Sequence, residues 1–398
     1  MSIMQKISNS RNLFLLIFAG MGLYLLSTGI SYAAFSWLQS STGTDSMVSP
    51  LPGQESGFRV DLTAPKTEKC PLNGALFTKE EKKIWEKRRP LTVMIENHQE
   101  ARPQSGLSRA DIVYEAVAEG GITRFLTIFY CGVSALDVQI GPVRSARTYF
   151  LDFASEYSDY PLYAHVGGAN SPGLANALGQ IADYGWLAKR NDMNQFSLGF
   201  PVFWRDYERF GRPVATEHTM YSTTDKLFEV AAKRNLTNVD DEGNAWDKNF
   251  KPWSFKDESK QEERGQISPE FNFWEGHDEY KVKWEYNSQE DNYRRINGGI
   301  VQKDRNDDNE VKAKVAVIVF MKESRANDGY ENNLHLLYGT KGTGKALIFQ
   351  DGQVIQGTWS KKDRKTRMTF EDTKGKEIKF NRGQIWVEIL PVGAEVNY

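Results

Sequence analysis

Arg144 and Arg147 are the residue pair in this chain best suited to chemistry. They sit in IGPVRSARTYF (Ile140 to Phe150) behind a Gly-Pro turn. Apolar residues recur with helical period from Ser145 to Tyr157, which predicts a helix whose first turn carries both arginines. Cations at that end oppose the helix dipole. Two guanidiniums beside free backbone N–H groups would grip a phosphate or carboxylate. The alternative is ion pairing with a nearby acid such as Asp111 or Glu115.

HVGGANSPG (His165 to Gly173) reads as a strand end, a glycine pair and a capped helix start. His165 could act as a general base or bind an anion, and Gly167 and Gly168 would let a ligand approach the backbone. A hydrogen-bonded structural histidine is the plainer reading. The loop Asn97 to Arg109 adds Asn97 and Arg102, and Arg124 follows on a strand. Asp111, Glu115 and Glu119 share strand parity and should face one way. They could hold a divalent cation, receive Arg124, Arg144 and Arg147, or form a solvated strand face. Asp111, Glu115 and His165 are the candidates for moving protons. FWRDYERFGRP (Phe203 to Pro213) and EHTMY (Glu217 to Tyr221), which contains His218, could wall a pocket or pack the domain. No cofactor is expected beyond that candidate divalent cation, and no dedicated metal site.

Gly339, Gly344 and Lys345 have P-loop spacing, but Ala346 stands where the motif needs Ser or Thr. A P-loop must open a helix towards the phosphates. Here alternating residues and an Asp351-Gly352 turn predict strands on both sides, so ATP is not an expected ligand.

These residues need elements to position them. Alternating strands and helices over 78–235 predict an α/β domain with a mixed sheet. TKEEKKIWEKRR (Thr78 to Arg89) is its entry helix, with Thr78 and Glu81 as a capping box. Residues 236–279 are polar and read as a linker or an excursion. Residues 280–398 alternate apolar and polar between Gly-containing turns, which predicts an all-β second domain.

The formal net charge of −2 argues against a dedicated nucleic-acid binder, which would carry a basic face. LFLLIFAGMGLYLL (Leu13 to Leu26) is uniformly apolar, and Lys6 and Arg11 precede it. Residues 1–38 therefore read as a membrane anchor that leaves the body outside the cytoplasm. Cleavage after the small-x-small stretch Ser31 to Ala33 would instead release it. Residues 39–77 begin as a Ser/Gly/Pro-rich stalk. Cys70 and Cys131 are the only cysteines. In an oxidising compartment they could form a disulfide, or remain two thiols.

RPLTVMIENHQEARPQSGLSRADIVYEAVAEGGITRFLTIFY, IGPVRSARTYF and AHVGG together resemble the YerB-like lipoprotein family, and YRRINGG (Tyr293 to Gly299) and GTGKALIFQDGQVIQGTW resemble its second domain. The resemblance runs from about Pro90 to the C-terminus. It implies a bacterial envelope protein of uncharacterised activity. The family's type member resembles a lipoprotein with a lipid-bearing cysteine, and this apolar segment has none, so the expected anchor is a helix. A looser similarity is to the LytR–CpsA–Psr envelope transferases. It implies a polyprenyl pyrophosphate and a metal ion, with Arg109, Asp111, Arg144 and Arg147 in the corresponding places. Ser-Ala follows Arg144 where that family has Asp. The expected function is anionic ligand binding by an extracytoplasmic protein. The alternatives are a transferase or hydrolase acting on an envelope polymer or lipid-linked precursor, and a partner-binding protein without enzymatic activity.

Overall fold

The computed structural model describes residues 60–240 and 242–398. Its main feature is a ten-stranded mixed sheet to which both halves of the chain contribute. From the first half come β1 (Leu91–Glu96), β2 (Ile112–Glu119), β3 (Ile122–Phe129), β4 (Leu162–His165) and β5 (Asp192–Asn194). The second half adds two hairpin strands, β6 (Val282–Asn287) and β7 (Asn292–Asn297), which build a smaller antiparallel sheet. It then supplies β8 (Val315–Met321), β9 (Gly342–Gln350), β10 (Gln353–Lys361), β11 (Thr369–Asp372) and β12 (Ile385–Pro391) to the large one.

The order across the large sheet is β11-β10-β9-β8-β12-β2-β3-β1-β4-β5. The α/β half and the strand-rich half thus meet edge to edge, with β12 parallel to β2. Such a central seam has both faces covered, which accounts for the continuous apolar run of β8, VAVIVFM, buried at every residue. The fold class expected from sequence holds, with an α/β half followed by a half that is mostly strands.

Helix α1 (Lys79–Trp85) has the expected box: Thr78 Oγ1 accepts from the Glu81 N–H and Glu81 accepts from the Thr78 N–H. Helix α2 (Thr148–Ala154) is buried along its whole length, with Phe153 stacked on Tyr114 of β2 at 5.0 Å. It starts three residues later than predicted. Arg147 is its N-cap and Arg144 lies before it in extended chain that bridges β1. Only Arg147 therefore stands at the helix N-terminus, and Arg144 does not. Helix α3 (Ala177–Asp183) also starts late, capped by Asn176 rather than Ser171. Gly173 at φ +125° keeps the preceding residues out of helix.

GTGK lies inside β9 and no helix follows it. A Cβ on Gly344 would come within 2.5 Å of the Trp359 indole nitrogen, so this glycine serves strand packing. The polar stretch 236–279 is not a free tether. Trp246 and Trp253 are buried, and the Trp253 indole donates to the Met368 carbonyl at 2.7 Å. No helix among the described residues is long and apolar enough to cross a membrane. The apolar stretch Leu13 to Leu26 and residues 39–59 of the stalk lie outside the described residues.

Candidate functional site

Two alternations sort the polar residues at one end of the sheet. Along the end of β1, Glu96 faces one side and Asn97 the other. Along β3, Arg124 faces one side and Thr123 the other. Glu96 and Arg124 look towards the loop that carries Arg144 and Arg147. Asn97 and Thr123 look towards β6 and β7.

On the first side, Arg144 Nε is 3.1 Å from Glu96 Oε1. Arg147 pairs with Glu119, and Arg124 reaches the same carboxylate at 3.4 Å while donating to the Ser145 carbonyl at 2.9 Å. Three guanidiniums thus share two carboxylates. Arg124 and Arg147 are buried, and burial pulls both guanidiniums down from their ordinary value. The Nε atoms of both are buried without a hydrogen-bond partner. Arg144 has 27% of its side chain exposed and forms the open edge. Tyr330, from the loop between Glu323–Arg325 and Leu336–Tyr338, is within electrostatic reach of Arg147 and Arg144. In the same loop His335 pairs with Asp328 at 2.7 Å and lies 3.9 Å from Glu119.

His218 also belongs here. Its Nδ1 donates to Glu96 Oε2 at 2.8 Å, and its ring stacks on His98 with centroids 4.7 Å apart. Burial pushes the Glu96 carboxyl up. The His218 hydrogen bond and the charges of Arg144 and Arg124 outweigh that and hold it below its ordinary value.

The second side is closed. Glu115 is fully buried and pairs with Arg295 of β7, with Glu388 of β12 at 3.8 Å from the same guanidinium. Arg295 is packed against the rings of Phe125, Trp284 and Trp386. Asn97 donates to Glu115 at 3.1 Å and to Thr123 at 2.7 Å, and accepts from Asn297 at 2.9 Å. Arg102 folds back on Asn97 and donates to the Glu279 carbonyl at 2.8 Å. Asn97, Arg102 and Glu115 therefore join the two halves of the chain and do not face the open arginine edge.

The shared face expected for Asp111, Glu115 and Glu119 does not form. A register irregularity between Val117 and Glu119 turns Glu119 to the other side, and Asp111 precedes the strand. Ile112 to Glu119 spans about 23 Å at ~3.3 Å per residue, so Asp111 sits at the far end of β2 from the arginines. It accepts from the Tyr130 and Gly132 N–H groups at 2.7 and 3.2 Å, and from Asn73 at 3.0 Å. Burial pushes its carboxyl up to about 7, against those hydrogen bonds. It lies beside the Cys70–Cys131 disulfide, whose Cα atoms are 6.0 Å apart. Arg109 pairs with Asp307 at 3.6 Å. Arg109, Asp111, Arg144 and Arg147 consequently do not assemble into one transferase-like centre.

His165 is fully buried, held by the Gly167 carbonyl at 2.6 Å and by Asp192 at 2.7 Å. Both ring nitrogens are engaged, which is a structural arrangement. The glycine pair is likewise used by packing. Gly167 has φ +60°, and a Cβ on Gly168 would meet Ala146 and Leu178 near 3.0 Å. A cleft of about 860 Å³ lined by Tyr160, Lys189, Trp246 and Arg367 includes none of the three arginines.

Sequence reasoning singles out neither Glu96 nor Tyr330, and takes His98 and Glu100 only as part of the Asn97–Arg102 loop. For Glu96 and His98 a signal existed, because they alternate with Asn97 at a strand end. Tyr330 had none.

Residues 75–237 match the N-terminal domain, and residues 270–387 the C-terminal domain, of the family described as "Protein of unknown function (DUF3048)". The chain is 32% identical over 327 residues to "Putative lipoprotein YerB" of Bacillus subtilis (strain 168), covering 82% of this chain and 87% of that one. It is also similar to the crystal structure of YerB protein from Bacillus subtilis, with a TM-score of 0.64 and 27% identity, over 83% of this chain and 100% of that chain.

Proposed function

The chain belongs to the DUF3048 family, and on that premise we propose an envelope-associated protein that binds an anionic, phosphate- or carboxylate-bearing ligand at the open arginine edge. The observation that carries this reading is the excess of guanidinium over carboxylate. Among the described residues, Glu96 and Glu119 are the carboxylates that pair with Arg124, Arg144 and Arg147, and two of the three Nε–H groups are buried without an acceptor. A buried donor left unpaired costs about 1–3 kcal/mol, which an incoming anion would relieve. Arg144 and Tyr330, the more exposed members, would meet the ligand first.

The relative's description as a lipoprotein supports placement at the envelope. In this chain both cysteines are joined to each other, so neither thiol is free to carry lipid. The apolar stretch Leu13 to Leu26 is the proposed anchor, with the body outside the cytoplasm.

The test is thermal unfolding of the full chain in detergent, with inorganic phosphate, pyrophosphate or a polyprenyl phosphate added. A ligand bound only by the folded state raises the melting temperature by mass action. The expected result is a concentration-dependent rise that Arg144→Ala removes. No rise with any of the three, or an equal rise in the variant, would overturn the reading.

A further inference from the structure

We infer that His98, Glu100 and His218 form a binding site for a divalent transition-metal ion of the Zn²⁺ class, with a coordination position left for an exogenous ligand. The inference stands apart from the anion reading, since the metal would be held by different side chains and is measured without any anion.

The three residues reach one point from two distant parts of the chain. His98 follows the end of β1 and caps a short turn, Gln99–Ala101, in which Glu100 is the second residue. His218 ends another short turn, Thr216–His218. One ligand atom from each lies within 4.8 Å of the other two. His218 Nε2 is 3.6 Å from Glu100 Oε2. Ligands at ~2.0–2.1 Å from a tetrahedral zinc ion stand about 3.3 Å apart, so no pair has to close by more than roughly 1.5 Å. Glu100, whose side chain is 49% exposed on a single turn, can move towards the histidines, and the two rings, 10° from parallel with centroids 4.7 Å apart, would tilt so that both lone pairs meet one ion.

The surroundings of His218 match what a metal-bound histidine needs. Its Nδ1–H is taken by the buried carboxylate of Glu96 at 2.8 Å. In the neutral ring that bond leaves the lone pair on Nε2, the nitrogen that faces Glu100. Glu96 is itself held by Arg144 at 3.1 Å, so the ring is oriented by a two-step chain. A stack of two imidazoles alone would not require a carboxylate on each side of one of them. Two histidines and one carboxylate are three protein ligands, the number found where zinc keeps a fourth position for water or substrate. Imidazole nitrogen with one carboxylate suits Zn²⁺ and its neighbours better than Mg²⁺ or Ca²⁺, which take oxygen.

The experiment uses the full chain without a histidine tag, in detergent and stripped with a chelator. Co²⁺ is titrated and followed by its visible d–d absorption, and Zn²⁺ affinity is read by competition. The expected result is one Co²⁺ per chain. Binding should be weaker by at least about tenfold in Glu100→Gln and His98→Gln, and by about 10–100-fold in Glu96→Gln, which removes no proposed ligand but weakens the support of His218 together with the Arg144 pair. Glu100→Gln is the safeguard variant, since an exposed turn residue should leave the melting temperature in chelator unchanged. Absence of metal-dependent absorption would overturn the inference. So would binding that survives both Glu100→Gln and His98→Gln unchanged.

Discussion

Two clusters of arginine and carboxylate lie on opposite sides of the same strand ends, and they differ in stoichiometry and closure. In the closed cluster one guanidinium, Arg295, sits between two carboxylates and three aromatic rings, with no exposure. In the open one three guanidiniums share two carboxylates, and Arg144 reaches solvent. A buried ion pair contributes little net stability, but removing one partner is costly because the other charge stays buried. An excess of one sign at an open edge leaves capacity for a ligand instead. The first cluster therefore joins the two halves of the chain, and the second is the proposed site.

The largest effect should come from the joint. Arg295→Met leaves Glu115 buried without its cation, and is expected to lose about 3–5 kcal/mol of stability. Urea unfolding checks it. Adding Glu115→Leu to Arg295→Met should recover much of the loss, since the orphaned charge is then gone. A loss below about 1 kcal/mol for the single change would erase the distinction between the clusters.

The closed cluster also carries a pH signature. Burial, and then the charge of Glu115, push the Glu388 carboxyl well above its ordinary value of 4.5. The folded state therefore holds a proton that the unfolded state releases first. This contribution is fully present below about pH 4.5 and is lost as pH rises towards the folded value, at up to ~1.4 kcal/mol per pH unit. Unfolding midpoints at several pH values above 4.5 should fall in the parent and fall less steeply in Glu388→Gln, where the raised carboxyl of Asp111 still contributes up to about pH 7. Equal slopes in the two proteins would remove Glu388 as the cause.

The same contrast explains what could be read from the sequence. Strand periodicity, the Thr78–Glu81 box and the closeness of Arg144 to Arg147 are local properties, and they were legible. The partners of Glu115 were not, because Arg295 and Glu388 lie 180 and 273 residues further along and no spacing rule joins them. Strand parity misled over Asp111, Glu115 and Glu119. Parity assumes an uninterrupted strand, and here one member precedes β2 and the irregularity after Val117 turns another. Asn97 and Arg102 are ligand-binding candidates by sequence, but the sequence does not say which side of β1 they take, and they face the joint between the two halves. The late start of α2 changed the account of Arg144 without moving it far from Arg147.

Within the open cluster the buried members should matter more to stability than the exposed one. Arg147→Met removes a guanidinium from Glu119, which keeps Arg124 at 3.4 Å and some solvent contact. A loss of about 1–3 kcal/mol is expected in urea unfolding, smaller than for Arg295→Met. A loss as large as the Arg295 value would mean that Glu119 depends on a single cation, and that the cluster has no spare charge for a ligand.

Arg144→Ala should cost least. Its guanidinium is at the solvent edge, where ion pairs contribute about 0–1 kcal/mol. Its partner Glu96 keeps the His218 hydrogen bond and lies in register beside Arg124. The expected change in stability is therefore below about 1 kcal/mol, while the anion-dependent rise in melting temperature disappears. This variant separates the two kinds of cluster most sharply. At the joint, the residue that binds is also the residue that stabilises. At the open edge, the two properties should come apart, and a variant that lost both together would show Arg144 to be a structural ion pair like the rest.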